Sequence, residues 1–406
     1  MCICGNVNPP YTRFARVYRF CVHSLVYIAL SSMRSFVIDN GGCTVRMSGV
    51  KDVRLRTNAV CRGKKDRKIY IGDKILNCAE YILARPISRG LVTDWELQKL
   101  IWESMRSSKL QDSTVVLTIG GPFAPNICKR DAYDVLFEDC GFSKALVVEA
   151  PFCAQFSPGI TSQFTLKDWQ NPCGLLIEAG FSHCVVVPVY NTQPIPNASV
   201  KLPVGARILN NLLRDRLAYM QYDLDDNPLL VQHIRETMCR TAKTPADFAN
   251  SITAAPGVYC AYELPSGGGS LGFPTTQPSS NPHVILGADT FAVPEAVFNP
   301  LSVGLDFIGL GECVKLAISK CPEICRKAVC SKIILFGGLA KSEGFQARLA
   351  HEIAQHTETA DIRFLTEPDG QSDLSVWRGA NNFTEEDLNS LGAITKQDWA
   401  DLNFHI

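Results

Sequence analysis

Three apolar runs that each end at glycine limit the possible folds of this chain more than any other feature. They lie at residues 35–42 (SFVIDNGG), 173–180 (CGLLIEAG) and 331–338 (SKIILFGG). Aliphatic and β-branched runs are typical of buried strands. A closing glycine permits backbone angles and close approaches that a side chain would forbid. The runs therefore predict three strands that end in tight turns able to face a ligand.

The first two runs share a further pattern. Each places an acid, Asp39 or Glu178, two residues before a glycine and then re-enters an apolar stretch, at 43–47 or 184–189. Backbone N–H groups in such turns can surround an anion, and the acid can hold a metal ion through water. We therefore predict a duplicated β-hairpin with phosphate-facing turns.

The segments between these runs alternate between strand and helix patterns, which predicts an α/β fold. Thr93 and Glu96 have the spacing of a capping box for a helix at 94–105. Leucine, isoleucine and phenylalanine recur at helical spacing at 204–220 and 344–356. Further strands are predicted at 114–119 and 145–150, and a Pro/Gly/Ser-rich exposed loop or linker at 265–282.

Charge and cysteine content exclude several classes of protein. The 406 residues contain 40 Lys plus Arg and 40 Asp plus Glu, so the net charge is zero, and 46% are hydrophobic. This composition excludes a disordered chain and argues against nucleic-acid binding by bulk charge. The 17 scattered cysteines are typical of reduced thiols in a cytosolic or nuclear protein. Their spacing completes no zinc site, and we expect them to pack as small apolar residues.

Two local segments depart from this average. Residues 51–68 hold eight Lys or Arg against two Asp, which fits a phosphate contact, a nuclear import signal or, as we favour, a mobile solvated loop. Residues 1–32 contain three arginines and no acid, with an apolar run at 20–30 that is too short to span a membrane. They fit a targeting segment, a signal-like stretch or a non-native extension. We expect Met33 to be the true start, or the extension to be unstructured.

With its paired glycine turns, its third glycine strand and this order of helices, the chain resembles the actin superfamily from about residue 35 onward. The segments YIGD at 70–73, RPISRGLVTDWE at 85–96, VPEAVFNP at 293–300 and SVGLDFIGL at 302–310 are similar to actin stretches. The aromatic Phe181 and the tail at 366–398 are closer to the actin-related protein 6 class, a nuclear class.

The resemblance implies an α/β actin-like fold of the RNase H-like type, with two lobes and a duplicated core around a nucleotide cleft. The lobes would span 33–170 and 171–365, and 366–406 would return to the first. The cleft would bind ATP with Mg²⁺, which Asp39 and Glu178 would hold through water. The binding residues would be Asp39, Asn40, Gly41, Gly42 and Arg46 at the first turn, Glu178, Ala179 and Gly180 at the second, and Gly205, Arg235, Glu236, Gly337 and Gly338.

Hydrolysis is not expected from these residues. The positions that orient and deprotonate the attacking water in actin read Ala150, Phe181 and Val185 here, and Gly42–Cys43 replaces a Ser–Gly pair. Without a polar group at the water, phosphoryl transfer loses its general base. The sequence therefore predicts a nucleotide binder without catalytic residues.

The class implies a scaffold subunit of a nuclear chromatin-remodelling complex that exchanges a variant histone into nucleosomes. Its partners would be the remodelling ATPase and a zinc-finger subunit, with histones contacted indirectly. We expect nuclear localisation with a cytoplasmic pool, no membrane contact and no filament. Two alternatives remain at this point: a polymerising cytoskeletal ATPase, and a sugar or acyl kinase of the same two-lobed fold.

Overall fold

The computed structural model describes residues 35–48, 53–78, 80–105, 113–253, 260–265, 271–276, 280–355 and 362–403. The predicted extension at 1–32 and the predicted start at Met33 lie outside these ranges. Within them, no helix has both the length and the apolar character needed to cross a membrane.

The part of the chain before residue 171 contains ten strands and five α-helices within the described ranges. The strands are β1 (Phe36–Asn40), β2 (Thr44–Ser48), β3 (Val53–Thr57), β4 (Val60–Gly63), β5 (Ile69–Ile71), β6 (Tyr81–Ala84), β7 (Ile87–Ser88), β8 (Leu91–Val92), β9 (Thr114–Ile119) and β10 (Lys144–Glu149). The helices are α1 (Trp95–Met105), α2 (Asn126–Asp134), α3 (Ala150–Ala154), α4 (Pro158–Thr161) and α5 (Leu166–Gln170).

The remaining described residues form a second set of strands and helices. The strands are β11 (Gly174–Ala179), β12 (Cys184–Tyr190), β13 (Gln193–Pro194), β14 (Val200–Leu202), β15 (Cys260–Glu263), β16 (Phe273–Thr275), β17 (His283–Leu286), β18 (Lys332–Phe336), β19 (Arg363–Leu365) and β20 (Ile394–Thr395). The helices are α6 (Ala206–Met220), α7 (Pro228–Met238), α8 (Pro245–Thr253), α9 (Asp289–Glu295), α10 (Leu310–Lys320), α11 (Glu323–Cys330), α12 (Phe345–Ala354), α13 (Ser375–Ala380), α14 (Glu385–Ser390) and α15 (Lys396–Asn403).

Two six-stranded sheets repeat one arrangement. In the first, the order is β20-β10-β9-β1-β2-β3, with β1 antiparallel to β2 and parallel to β9. In the second, the order is β13-β12-β11-β18-β19, with β14 on β12, and β11 is antiparallel to β12 and parallel to β18. The predicted duplicated hairpin is therefore confirmed. In each copy, the turn lies where the first hairpin strand ends.

Alternating side chains divide the core into layers. Phe36 and Ile38 on β1 face one cluster, which helix α1 covers with Ile101 and Trp102, while Val37 faces another cluster between the sheets. That central cluster also contains residues of both sheets and of α3 and α13, among them Val116, Leu146, Cys153, Leu176, Val187, Phe336, Val376 and Ala380. The largest cluster covers the other face of the second sheet with α6, α7, α10 and α12. Strands buried on both faces explain the nearly continuous apolar runs in the sequence.

The predicted helices form with small differences at their ends. Helix α1 begins one residue later than predicted, and its cap is the Asp94 carboxylate, which accepts a hydrogen bond from Leu97 N at 2.8 Å. The Thr93 hydroxyl instead donates to Pro86 O, so the predicted capping box is wrong. Helix α6 begins at Ala206 because Gly205, in extended conformation, precedes it.

Two segments predicted as loops contain strands. The mobile loop predicted at 51–68 is wrong over its described part, since β3 and β4 lie within it and β4 pairs with β5 and β6. Within 265–282, β16 pairs with β15, so that segment is not wholly loop. Its residues 266–270 and 277–279 lie outside the described ranges.

A buried ion pair gives a test of the second lobe. Arg348 on α12 donates two hydrogen bonds to Glu295 at 2.8 and 2.7 Å, and the two residues are 2% and 4% exposed. Arg348→Met should lower the free energy of unfolding by about 3–5 kcal/mol, because it leaves a buried carboxylate without its main partner. Urea denaturation measures this. Arg240→Met, which breaks the exposed pair with Glu343, should change it by less than about 1 kcal/mol; equal losses would contradict the assignment.

Candidate nucleotide cleft

The turns of the two hairpins meet at a cavity of about 460 Å³ between the sheets. It is lined by most of the residues predicted to bind nucleotide: Asp39, Asn40, Gly41, Gly42, Arg46, Glu178, Gly180, Arg235, Glu236, Gly337 and Gly338. Residues from β1, β2, β11, α7 and the turn after β18 thus come together from distant parts of the chain. The convergence follows from the topology, because β1, β11 and β18 all end at this cleft.

Charged side chains form a chain of contacts along one wall. Arg46 lies between two carboxylates, at 3.1 Å from Asp39 Oδ2 and 3.1 Å from Asp373 Oδ2. Lys341 Nζ lies 3.0 Å from the other oxygen of Asp373, and Thr118 donates to Asp39 Oδ1 at 2.9 Å. The four charges cancel, which allows them to be held away from water.

The pKa values of the two carboxyls in this chain move in opposite directions. Burial raises the pKa of Asp39 despite the opposing charge of Arg46. For Asp373, burial acts in the same sense, but Arg46 and Lys341 together lower its pKa below the usual value. Arg46 keeps its charge because both carboxylates raise its pKa against the effect of burial.

The first turn is fixed through its carbonyl groups and leaves its donors available. Asn58 donates to Gly41 O at 2.8 Å, and Arg85 donates to Gly42 O at 3.4 Å and Cys43 O at 3.2 Å. The N–H groups of Gly41, Gly42 and Cys43 donate to no acceptor among the described residues. Consecutive free N–H groups in a turn are an arrangement that binds anions.

The two turns touch each other. A Cβ on Gly42 would lie 2.5 Å from Ser182 Oγ and 3.5 Å from the Phe181 ring, so a side chain here would require Ser182 to move. The Arg85 guanidinium lies over the Phe181 ring, 4.7 Å from its centroid. Phe181 therefore packs between the lobes.

Glu178 lies at the end of β11 with one oxygen, Oε2, buried and without a hydrogen-bond partner. Burial raises the pKa of this carboxyl to about 7, the nearby charge of Asp39 adds to the rise, and Lys201 opposes it. Near neutral pH, the charge of a neighbouring group therefore decides whether this carboxyl is protonated or ionised. A cation in the cleft would favour the ionised form.

The third glycine turn combines a constrained and an open position. Gly337 has φ +99°, and a Cβ there would lie 2.4 Å from Ala179 O, so this position requires glycine. Gly338 has ordinary helical angles, and a Cβ there would meet nothing within 4 Å. Gly338 thus borders open cavity, and its missing side chain leaves space for a ligand.

The remaining predicted contacts divide between cavity and core. Arg235 is buried on α7 and donates to Asn210 at 2.6 Å and to Glu236 at 3.1 Å, and both members of the Arg235–Glu236 pair line the cavity. Gly205 does not line it. A Cβ on Gly205 would lie 2.6 Å from Phe181 O, so this glycine permits close packing of α6 behind the second turn.

The positions predicted to lack catalytic groups lie partly on the cavity wall and partly in the core. Ala150 and Phe181 line the cavity, whereas Val185 is 1% exposed in the cluster between the sheets. His183 lines the cavity, but burial lowers its pKa to about 4 and neither ring nitrogen has a partner. It packs against Gly90, where a Cβ would lie 2.3 Å from its ring. His183 is therefore a neutral, confined imidazole.

Unpaired polar atoms gather at this cavity. Among the described residues, several buried side-chain nitrogen or oxygen atoms have no hydrogen-bond partner. Four of them belong to residues lining the cavity: Arg46 Nε, Glu178 Oε2 and both ring nitrogens of His183. Buried polar atoms without partners are costly and call for a ligand or water. The cavity is therefore suited to a polar molecule rather than an apolar one.

The cavity offers few side chains that are free to bind a metal ion. Both oxygens of Asp39 already have protein partners. No group of three or more His, Cys, Asp or Glu within the described ranges could hold a metal ion. A cation predicted on Asp39 and Glu178 would therefore need further oxygen ligands from a bound phosphate.

The outer end of the cleft is closed by contacts between the lobes. Leu229 on α7 is 7% exposed and packs into a cluster with Ala59, Cys61, Ile75 and Tyr81 from the small sheet β5-β4-β6. Tyr81 also receives a hydrogen bond from Leu229 N at 3.3 Å. Lys64 pairs with Asp226 beside this cluster.

Sequence reasoning missed several polar residues that line the cavity, among them Thr118, Gln232, Lys341 and Asp373. Thr118 could have been suspected, since it lies next to the last residue of the strand predicted at 114–119. Asp373 lies 327 residues from its partner Arg46, and no local pattern links the two. Gln232 contacts Cys43 and Arg85 across the cleft, which only the assembled lobes bring together.

Comparison with known proteins decides the family. A sequence profile described as actin matches residues 30–403. The chain belongs to the actin family. The actin-like protein ARP6 of Yarrowia lipolytica is 24% identical over 385 residues, which cover 91% of this chain and 95% of that protein. Actin-related protein 6 of Neurospora crassa is 26% identical over 410 residues, covering 90% and 91%. The actin-like α/β fold and the resemblance to the actin-related protein 6 class are thus confirmed.

The raised pKa of Glu178 predicts a pH-dependent stability of this actin-family chain. A carboxyl with pKa about 7 when folded, against 4.5 ordinarily, binds its proton more tightly in the folded state. The stability that this group contributes is therefore fully present below pH 4.5 and is lost as the pH rises through 7. Glu178→Gln removes this loss, so between pH 5 and pH 8 the variant should gain on the order of 2 kcal/mol relative to wild type.

Urea denaturation of both proteins at pH 5 and pH 8 measures this difference. Glu386→Gln, on the exposed side of α14, is the matched control and should follow wild type at both values. A Glu178→Gln variant whose stability ran parallel to wild type across this range would show that the carboxyl titrates normally.

Proposed function

We propose that this protein is a non-catalytic, nucleotide-binding scaffold subunit of a nuclear chromatin-remodelling complex. The observation that carries the proposal is the composition of the cleft. Its anion-binding turns and unpaired polar atoms are suited to a nucleotide. Ala150 and Phe181 place apolar side chains on its wall, at positions where the resemblance to actin implies groups that hold the attacking water. A protein that keeps the binding half of the site without the catalytic half fits a structural use of ATP.

The described residues fit ATP in a specific arrangement. The N–H groups of Gly41, Gly42 and Cys43 would hold phosphate oxygens, and Arg46 and Lys341 would supply positive charge. Gly338, Arg235 and Glu236 would border the adenosine. The cavity is lined by four acids and three Lys or Arg, so Mg²⁺ would supply the positive charge that the side chains do not balance.

Hydrolysis requires a group that orients water and accepts its proton. Phe181 cannot do either, and it lies against Arg85 and the first turn. Asp39 is held by Arg46 and Thr118, and burial keeps His183 neutral. Glu178 is the remaining carboxyl near this point, and the proposal assigns it to the bound cation. The proposal of a cleft without ATPase activity rests on this geometry.

The nuclear role rests on the resemblance to the actin-related protein 6 class. That class implies a subunit of an assembly that exchanges a variant histone into nucleosomes, alongside a remodelling ATPase and a zinc-finger subunit. A cleft closed by Leu229 and by the Arg85–Phe181 contact supports a rigid scaffold, because a fixed arrangement of the lobes presents a constant surface to partners.

Gly338 provides a test of nucleotide binding. Mg-ATP should raise the melting temperature of the wild-type protein, because a ligand that binds only the folded form stabilises it. Gly338→Val should abolish this shift, since its side chain would enter open cavity without meeting protein atoms. Gly338→Ala should reduce the shift by a smaller amount. The melting temperatures of the ligand-free variants check that the fold is intact.

The same samples test the absence of hydrolysis. Phosphate release from excess Mg-ATP should equal that of the buffer alone. Steady turnover that Gly338→Val abolished would contradict the non-catalytic proposal. A wild-type protein with no thermal shift and no co-purified nucleotide would contradict the cleft assignment.

The scaffold role is tested by purifying the tagged full chain from nuclei of its source cells and identifying its partners by mass spectrometry. We expect a chromatin-remodelling ATPase, a zinc-finger protein and histones in stoichiometric or near-stoichiometric amounts. Wild type and Gly338→Val should be compared to learn whether assembly depends on the cleft. Recovery of cytoskeletal proteins with salt-dependent pelleting of the chain would overturn the proposal.

A further inference from the structure

Residues 53–84 form a small unit with a large excess of positive charge in a chain whose total charge is zero. Its described part holds eight basic residues and three acidic ones. The basic residues are Arg54, Arg56, Arg62, Lys64, Lys65, Arg67, Lys68 and Lys74, and the acids are Asp66, Asp73 and Glu80. The rest of the protein therefore carries the compensating negative charge.

The three acids of this unit already have partners within it. Asp66 accepts hydrogen bonds from Tyr70 and from Lys68 N, Asp73 accepts two from Thr57, and Glu80 pairs with Lys65 at 2.9 Å. Arg62 and Arg67 are exposed and form no ion pair with any described residue. Their charge is available to an external partner.

Strand pairing places Arg62 between two exposed isoleucines. On β4, Arg62 lies directly opposite Ile69 on β5 and Ile82 on β6. Directly opposed residues share one face of a sheet. Ile69 is 67% and Ile82 64% exposed, whereas Cys61 on the other face is 1% exposed. The outer face thus presents an apolar, a basic and an apolar side chain in one row.

We propose that this row docks an acidic amphipathic helix of a partner protein. Adjacent strands are about 4.8 Å apart, so Ile69 and Ile82 are separated by about 10 Å. Two turns of an α-helix advance about 11 Å, so apolar residues at i and i+7 would contact both isoleucines. Acidic residues between them would face Arg62. The inference deepens the proposed scaffold function and rests on it for the existence of a partner.

The two isoleucines favour an acidic helix over a nucleic acid as the partner. Basic side chains hold a duplex through its phosphates, and that contact does not require isoleucines exposed on either side of an arginine. An acidic helix uses both properties of the row, because its apolar face covers the isoleucines and its charges complement the arginines.

The test uses the purified full chain and a fluorescein-labelled 21-residue helical peptide, with leucine at i and i+7 and glutamate and alanine elsewhere. Fluorescence anisotropy should show saturable binding that weakens as salt increases. Ile69→Ser/Ile82→Ser and Arg62→Glu should each weaken binding at least tenfold. Leu166→Ser, which removes an 80% exposed leucine at another surface, is the matched control and should bind as wild type does.

Several outcomes would overturn the proposal. The first is equal binding of the acidic peptide by wild type and all three variants. The second is equally tight binding of a peptide in which lysine replaces each glutamate. The third is that the acidic peptide does not bind, while a 20-base-pair DNA duplex binds wild type and the isoleucine variant equally. Melting temperatures verify that each variant is folded. Purification of the nuclear complex tests the scaffold role separately. Recovery of the complex without peptide binding would show a scaffold that docks its partners at another surface.

Discussion

A guanidinium shared between two carboxylates is the interaction on which the arrangement of the cleft depends. Arg46 joins Asp39, at the end of the central strand of one sheet, to Asp373, in the segment that follows the other sheet. Removing any member leaves an unbalanced charge in a place with little water. The position of the first turn and the return of the C-terminal segment are thus coupled through one side chain.

Phe181 joins the two lobes at the cleft. Its aromatic ring provides a surface for Arg85 and for the first turn. Under the proposed function, this position would contribute rigidity rather than chemistry. Such a contact between the lobes fits a cleft that holds a ligand without transforming it.

The sequence revealed the features set by local pattern. The hairpins, the α/β alternation and the glycine turns were predictable, because buried strands and tight turns restrict residue type strongly. Strands β3 and β4 were not, since basic residues, among them Arg54 and Arg56 on β3 and Arg62 on β4, hid the strand pattern. Nor was the contact of Asp373 with Arg46, or the cap by Asp94 in place of Thr93. These depend on distance in space or on competing hydrogen bonds, which a single sequence does not display.

The burial of Leu229 in the core of the small sheet has a kinetic consequence. Separation of the lobes at this point exposes the cluster to water. Opening is therefore a local unfolding event, whose frequency follows the free energy of the apolar contact. A partner that covers the small sheet would make opening rarer without touching the cleft.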